Sequence, residues 1–131
     1  MDYDSYQTEI LEVAQSAVNY RKWLARLTFP YLGDNPLEFG SGIGDYAKEW
    51  LQLGCHRLTV SENSPTRITV LQDQFLNSPN IKVRQLDIEN ITDIDAGYSS
   101  IISLNVIEHL ENEGAALRGA HSALMLGGYF V

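Results

Sequence analysis

At 131 residues and 14.7 kDa the chain is one domain of ordinary size, long enough to bury a continuous core without disulfides or structural metals. Nine Lys and Arg against 17 Asp and Glu give a net charge of −8 and a pI near 4.7, which excludes generic nucleic-acid binding because a phosphate backbone meets net repulsion. Hydrophobic residues at 44% and charged residues at 20% match a folded domain; no apolar run reaches the roughly 18 residues of a membrane span, and MDYDSYQTEI lacks the regions of a secretory signal. The expected compartment is the cytoplasm, with no membrane partner. Cys55 is the only cysteine, so no internal disulfide or thiolate cluster can form, and its place after Gly54 suits a small buried hydrophobe.

The apolar residues Tyr6, Ile10, Val13, Ala17, Tyr20, Leu24 and Leu27 alternate at spacings of four and three, which predicts one long helix with this stripe buried. Glu9, Glu12, Arg21, Lys22 and Arg26 fall on its wet face, Asp4 and Gln7 resemble a capping box, and Pro30 closes it. Short apolar runs then alternate with helical segments. Leu37 to Phe39 is a strand, Gly40 to Gly44 a turn, and Asp45 to Leu53 a helix ending at Gly54. Leu58 to Val60 is a second strand, and Ser64-Pro65 caps a helix whose apolar face is Ile68, Leu71, Phe75 and Leu76. Ile81 to Leu86 is a third strand, Ser99 to Val106 a fourth and Ala115 to Leu126 a helix, after which Gly127-Gly128 turns into Tyr129-Phe130-Val131. Trp23 and Trp50 are expected in the core, His56 and His121 near the surface.

Strands alternating with helices of about 10 residues imply right-handed crossovers and a doubly wound, mainly parallel sheet with helices on both faces. The organisation is a single domain over 1–131, with an N-terminal helix in 1–30 and a core over 37–131. Ligands of such sheets lie beyond the carboxyl ends of the strands. The chemistry is therefore sought at 38–45, 61–63, 87–88 and 105–109.

Glycines at 40, 42 and 44 stand between a strand and a helix, where missing Cβ atoms allow a tight turn and close approach of a ligand to free N–H groups. A dinucleotide fingerprint G-x-G-x-x-G would need glycine at 45, and Asp45 stands there. The turn can also be purely structural. Glu62 lies 22 residues past Gly40, at a strand end where a carboxylate can accept from both hydroxyls of a ribose, or simply face solvent. Asp87 ends the third strand and can accept from a purine amine or serve the turn.

Together these segments resemble the class I S-adenosylmethionine-dependent methyltransferases of small-molecule type. LEFGSGIGDY is similar to their acidic residue followed by G-x-G-x-G, LTVSENSP to their second-strand acidic motif, RQLDIEN to their adenine-contact strand, and SIISLNVIEHLEN to their fourth strand. EGAALRGAHSALMLGGYFV is similar to the helix and the Gly-Gly step that lead into their fifth. The resemblance covers roughly 20–131 and implies a three-layer Rossmann-like α/β sandwich. It implies S-adenosylmethionine as cofactor, S-adenosylhomocysteine as product, and an oxygen or nitrogen of a small molecule as acceptor. By position it assigns Glu38 and the Gly40, Ser41, Gly42 and Gly44 backbone to the methionine portion, Glu62 with Asn63 to the ribose, Asp87 and the Ile88 main chain to the adenine, and Asn105 to the neighbourhood of the methyl group. Ser61-Glu62 departs from the usual small or apolar residue and Asp, and Glu reaches one methylene further.

Methyl transfer from a sulfonium needs mainly a positioned acceptor, plus a base where that acceptor carries a proton. His109, with an unperturbed pKa of about 6.5, is the first candidate base and Glu108 the second. The Glu-His pair can equally be structural. Asn105, Glu108 and His109 also resemble an E-x-x-E-H metal arrangement, but Asn105 is a neutral, poorer ligand, so no metal is assigned. The family's sheet has seven strands, whereas Val131 falls within the fifth. The expectations are an incomplete C-terminal part, an exposed sheet edge open to a second copy of the chain, and, as an alternative to an enzyme, an inactive module that binds the cofactor or a partner. A nicotinamide or flavin oxidoreductase is disfavoured by Asp45 and Glu38.

Overall fold

A computed structural model describes the backbone over residues 3–131, with side chains at Val13 and from Gln15 onward. Tyr6, Ile10, the acidic Glu9 and Glu12 and the Asp4–Gln7 capping box lie outside the described side chains. The elements run α1 (Tyr3–Thr28), a 3-10 turn (Phe29–Tyr31), β1 (Pro36–Phe39), α2 (Asp45–Gln52), β2 (Leu58–Glu62), α3 (Pro65–Gln74), β3 (Ile81–Gln85), β4 (Tyr98–Ser103), a 3-10 turn (Ile107–His109), α4 (Glu113–Ala123) and β5 (Leu124–Phe130). The five strands form one parallel sheet in the order β3-β2-β1-β4-β5, so the connection reverses direction at β1. No helix among the described residues is long and apolar enough to cross a membrane.

Period-two alternation along each strand divides the side chains between two cores. Leu58, Val60, Ile81 and Ile102 face α1, α2 and α3, which contribute Ala25, Ala47, Trp50, Ile68, Leu71 and, just after α3, Phe75. Leu37, Phe39 and Ile101 face Ala116, Ala120 and Ala123 of α4 together with Leu86 and Ile88. Among the described residues the second face holds one helix, α4, because β3 returns to β4 through turns over 86–97. Ile91 of that connection packs on Gly119, where a Cβ would lie 2.6 Å from Ile91 Cδ1. Ser64 caps α3 as its sequence suggests, its hydroxyl accepting from Arg67 N at 3.4 Å.

Several expectations need correction. The stripe assigned to the buried face of α1 is largely exposed at Val13, Ala17, Tyr20 and Leu27. The helix docks instead through Ala25 and Thr28, the latter accepting from the buried Trp50 indole N–H at 3.0 Å, and through Arg21, 3.3 Å from Glu49 and 3.9 Å from Asp45. Small residues allow this close approach, and it leaves Trp23 outside the core, against Tyr20. Second, β4 stops at Ser103 rather than Val106, because Asn105 takes φ 57 and turns the chain. Third, α4 ends at Ala123 and β5 begins at Leu124, so Gly127-Gly128 lies inside the strand. Between Tyr98↔Leu124 and Ser100↔Tyr129 the β5 side carries extra residues, and Gly127 at φ 80 absorbs that bulge. Met125, Leu126 and Tyr129 of this strand are exposed. Cys55 is half-buried rather than fully so; burial raises its pKa, and its thiol donates to Arg57 O.

Candidate functional site

The carboxyl ends of β1, β2 and β3 and the turn after β4 converge on a cleft of about 130 Å³ lined by Gly40, Glu62, Asn63, Leu86, Asp87, Ile88, Glu89, Val106 and Leu110. Five of these, Gly40, Glu62, Asn63, Asp87 and Ile88, are residues singled out from the sequence.

The three glycines of the turn all have positive φ, yet their side-chain positions meet different surroundings. A Cβ on Gly40 would lie 2.6 Å from Val106, one on Gly44 would lie 2.8 Å from Phe75, and one on Gly42 would meet nothing within 4 Å. Gly40 and Gly44 are glycine for packing; Gly42 faces open space. Ser41 is buried and clasps the neighbouring strand, its N–H donating to Ser61 O at 2.8 Å while its hydroxyl accepts from Ser61 N at 3.0 Å. Ser61 in turn donates its hydroxyl to Glu38 O at 2.6 Å. The turn is therefore fixed to β2 before any ligand arrives.

Glu38 is 2% exposed and its Oε2 has no hydrogen-bond partner. Burial lifts its pKa from 4.5 to about 7, helped by the negative charges of Glu62 and Asp45 and opposed by a hydrogen bond from Ser41. A buried carboxyl with an orphan oxygen is costly unless a donor or cation reaches it. Glu62 is also buried, but its carboxylate is occupied: Oε2 accepts from Gly42 N at 2.9 Å, Oε1 accepts from Asn63 N at 3.1 Å, and Arg67 stands 3.6 Å away. Asp87 accepts from Glu89 N at 3.1 Å and from the Asn90 side-chain amide at 3.0 Å, so it builds the turn after β3 as well as facing the cleft. Asn63 and Asn105 are exposed, and of the two only Asn63 lines the cleft.

Glu108 and His109 sit on the 3-10 turn after β4, with side chains 56% and 76% exposed and 3.9 Å between His109 Nε2 and Glu108 Oε1. They stand at the rim, and nothing described encloses them. His56 and His121 are exposed at a distance in sequence from the cleft residues. Sequence reasoning missed Val106, Leu110 and Arg67, which reach the site only through the fold, and the Ser41–Ser61 clasp, which depends on β1 and β2 being neighbours.

The glycine cradle open at Gly42 and the orphan Glu38 oxygen fit a ligand that brings a cation to the turn and a nucleoside toward Glu62 and Asp87. Comparison with known proteins points the same way. Residues 37–131 match a family model described as a methyltransferase domain. No curated protein matches the chain in sequence. Among solved structures it is similar to the CcbJ methyltransferase from Streptomyces caelestis, at 20% identity and TM-score 0.72 over 84% of this chain and 47% of that one. It is similar to the glycopeptide N-methyltransferase MtfA complexed with S-adenosyl-L-methionine, at 19% identity and TM-score 0.71 over 83% and 48%. It is also similar to a putative sarcosine dimethylglycine methyltransferase from Galdieria sulphuraria, at 17% identity and TM-score 0.74 over 86% and 45%. At these identities the likeness is one of fold, and the chain spans under half the length of those structures. The family match over 37–131 and the shared Rossmann-like sheet together show that the chain belongs to the methyltransferase domain family, whose cofactor is S-adenosylmethionine.

Proposed function

We propose that the cleft binds S-adenosylmethionine and that the domain serves methyl transfer to an oxygen or nitrogen of a small-molecule acceptor. The observation that carries this reading is a cleft at the strand ends lined by Gly40, Glu62 and Asp87, on a glycine turn that is open at Gly42 and whose Ser41 meets the buried Glu38 carboxyl with its unpartnered oxygen. When bound, the cofactor supplies an electrophilic methyl group. The chain's own residues would do the following. Glu38 and the Gly40 to Gly44 backbone orient the methionine portion, Glu62 with Asn63 holds the ribose, and Asp87 with the Ile88 main chain holds the adenine. Asn105 stands where the methyl group is presented. His109, or Glu108 beside it, takes the proton of the acceptor.

Calorimetric titration with S-adenosylhomocysteine tests the binding half of the proposal. Glu62→Ala is expected to weaken binding by about 1.5–3 kcal/mol, the range for hydrogen bonds to a charged group. Because Glu62 also satisfies the Gly42 and Asn63 N–H groups, the free domain should lose about 1–2 kcal/mol of stability in the same variant. Wild-type affinity in Glu62→Ala would remove the ribose role.

The high exposure of Glu108 and His109 favours a second reading, a domain that binds the cofactor without transferring its methyl group. Turnover on an acceptor panel separates the two. If His109 is the base, His109→Ala should lower turnover roughly 10²-fold or more while leaving S-adenosylhomocysteine affinity within about 2-fold. Equal turnover in both proteins would remove His109 from the chemistry.

A further inference from the structure

The half of the sheet that α4 leaves uncovered carries a second hollow, of about 410 Å³, lined by Asn35, Arg57, Thr59, Lys82, Val83, Arg84, Asp95, Ala96 and Tyr98. Asn35, Arg57 and Ala96 lie before β1, β2 and β4, so this hollow opens toward the amino ends of the strands. The cofactor cleft lies at their carboxyl ends, roughly 15 Å away along a five-residue strand. Its floor is polar by register: Lys82 pairs with Thr59 and Arg84 with Ser61, and alternation puts Lys82 and Arg84 on one side of the edge strand β3.

Three of the chain's nine Lys and Arg residues converge here against one lining carboxylate, in a protein of net charge −8. The ion pairs of the described residues involve Arg21, Lys48, Arg67 and His109, and none involves Arg57, Lys82 or Arg84. Among the described residues no carboxylate lies within 4 Å of any of these three cations. Mutual repulsion in a concave site is relieved by an anion placed among them. Arg84 is held in place, its guanidinium donating to Asp93 O, so one fork of donors is preset and loses little freedom on binding. The size lies within the roughly 300–1,000 Å³ typical of small-molecule sites, too small for a macromolecular groove.

We propose that this hollow is a binding site for a small molecule bearing a doubly charged oxyanion, a phosphate ester or a dicarboxylate, held by Arg57, Lys82 and Arg84 and separate from the cofactor cleft. The test is an amide chemical-shift titration of the whole chain with inorganic pyrophosphate and, separately, with citrate, repeated on Lys82→Gln/Arg84→Gln. Saturable shifts centred on Arg57, Thr59, Lys82, Arg84 and Ala96 are expected with at least one probe, and the stronger probe identifies phosphate or carboxylate as the preferred source. The double variant, altered only at side chains that are exposed or half-buried, should lose at least about 10-fold in affinity, equivalent to about 1.4 kcal/mol. Its melting temperature and S-adenosylhomocysteine affinity should be unchanged, which separates this site from the proposed cofactor site. Shifts that never saturate, shifts centred on Gly42 to Asp45, or equal affinity in the double variant would overturn the proposal. So would tighter, salt-dependent binding of a short RNA duplex at the same residues, or a change in oligomeric state in the double variant, since each assigns the cations to a macromolecule.

Discussion

Gly44→Ala is expected to destabilise the free domain by about 3–4 kcal/mol, whereas Gly42→Ala should cost only about 1–2 kcal/mol. Both residues sit at positive φ, 88° and 59°, so both substitutions carry the left-handed penalty of an L side chain, about 1–2 kcal/mol. The difference is what the new methyl group meets. At 44 it lands 2.8 Å from the Phe75 ring and 3.2 Å from Leu71 Cδ2, in the core under α2 and α3, where overpacking adds about 1–3 kcal/mol. At 42 nothing stands within 4 Å. Cofactor affinity should rank the other way once each variant is measured under conditions where it is folded. Gly42→Ala fills the space proposed for the methionine portion and should weaken S-adenosylhomocysteine binding by about 10²-fold or more, while Gly44→Ala leaves the cleft face of the turn unaltered and should bind within about 10-fold of wild type. Urea denaturation and calorimetry on the two proteins check both rankings. If Gly42→Ala binds like wild type, the open space above Gly42 is not the ligand's.

The same turn shows which parts of the site were legible in the sequence. A strand, three alternating glycines and a helix are consecutive, so local rules suffice to place them, and the acidic residues at 62 and 87 follow from the same strand-end logic. Which glycine faces open space was not legible, because Val106 and Phe75, which decide it, come from β4's exit and from the end of α3. The face of α1 was misassigned for a related reason. Hydrophobicity marks Val13, Tyr20 and Leu27, but close docking on Trp50 needs the smaller Ala25 and Thr28, and the ion pairs of Arg21 to Asp45 and Glu49 fix that choice. Leu104 and Val106 continue the apolar run of β4, yet a left-handed Asn105 between them ends the strand. That single backbone conformation puts Val106 against Gly40 and directs Glu108 and His109 to the rim. The basic hollow was not legible either, since Arg57, Lys82 and Arg84 read singly are ordinary strand-end and edge-strand charges. Only the pairing of β2 with β3, and the absence of a helix between β3 and β4 among the described residues, bring them together uncovered.

The free domain should become less stable as pH rises from 5 to 8, and Glu38→Gln should remove most of that dependence. The Glu38 carboxyl, enclosed by β1, the glycine turn and α2, faces the negative charges of Glu62 from β2 and Asp45 from α2, and Tyr46 of α2 stands near it. The cations of this region are engaged elsewhere, Arg21 with Asp45 and Glu49 and Arg67 with Glu62. With the folded-state pKa raised from 4.5 to about 7, the folded protein holds the proton more tightly than the unfolded chain. The sign follows from linkage: stability from this group is complete below about 4.5, is lost as pH climbs through about 7, and is constant above. A shift of this size corresponds to about 3 kcal/mol, an upper figure that relaxation reduces. Urea denaturation of wild type and Glu38→Gln at pH 5, 6, 7 and 8 should show wild type losing about 2–3 kcal/mol relative to the variant across that range. Under the proposed placement the cofactor's ammonium group offers the charge that the orphan Oε2 lacks, favouring the ionised carboxylate. Binding should then release up to one proton near pH 6, seen as a calorimetric enthalpy that changes with the ionisation enthalpy of the buffer, and affinity for S-adenosylhomocysteine should tighten by up to about 10-fold per pH unit between 5 and 7. In Glu38→Gln the affinity should fall and its pH dependence in this range should vanish. Parallel pH profiles of affinity in the two proteins would show that the buried carboxyl never meets the ammonium, and the methionine portion would have to be placed elsewhere on the turn.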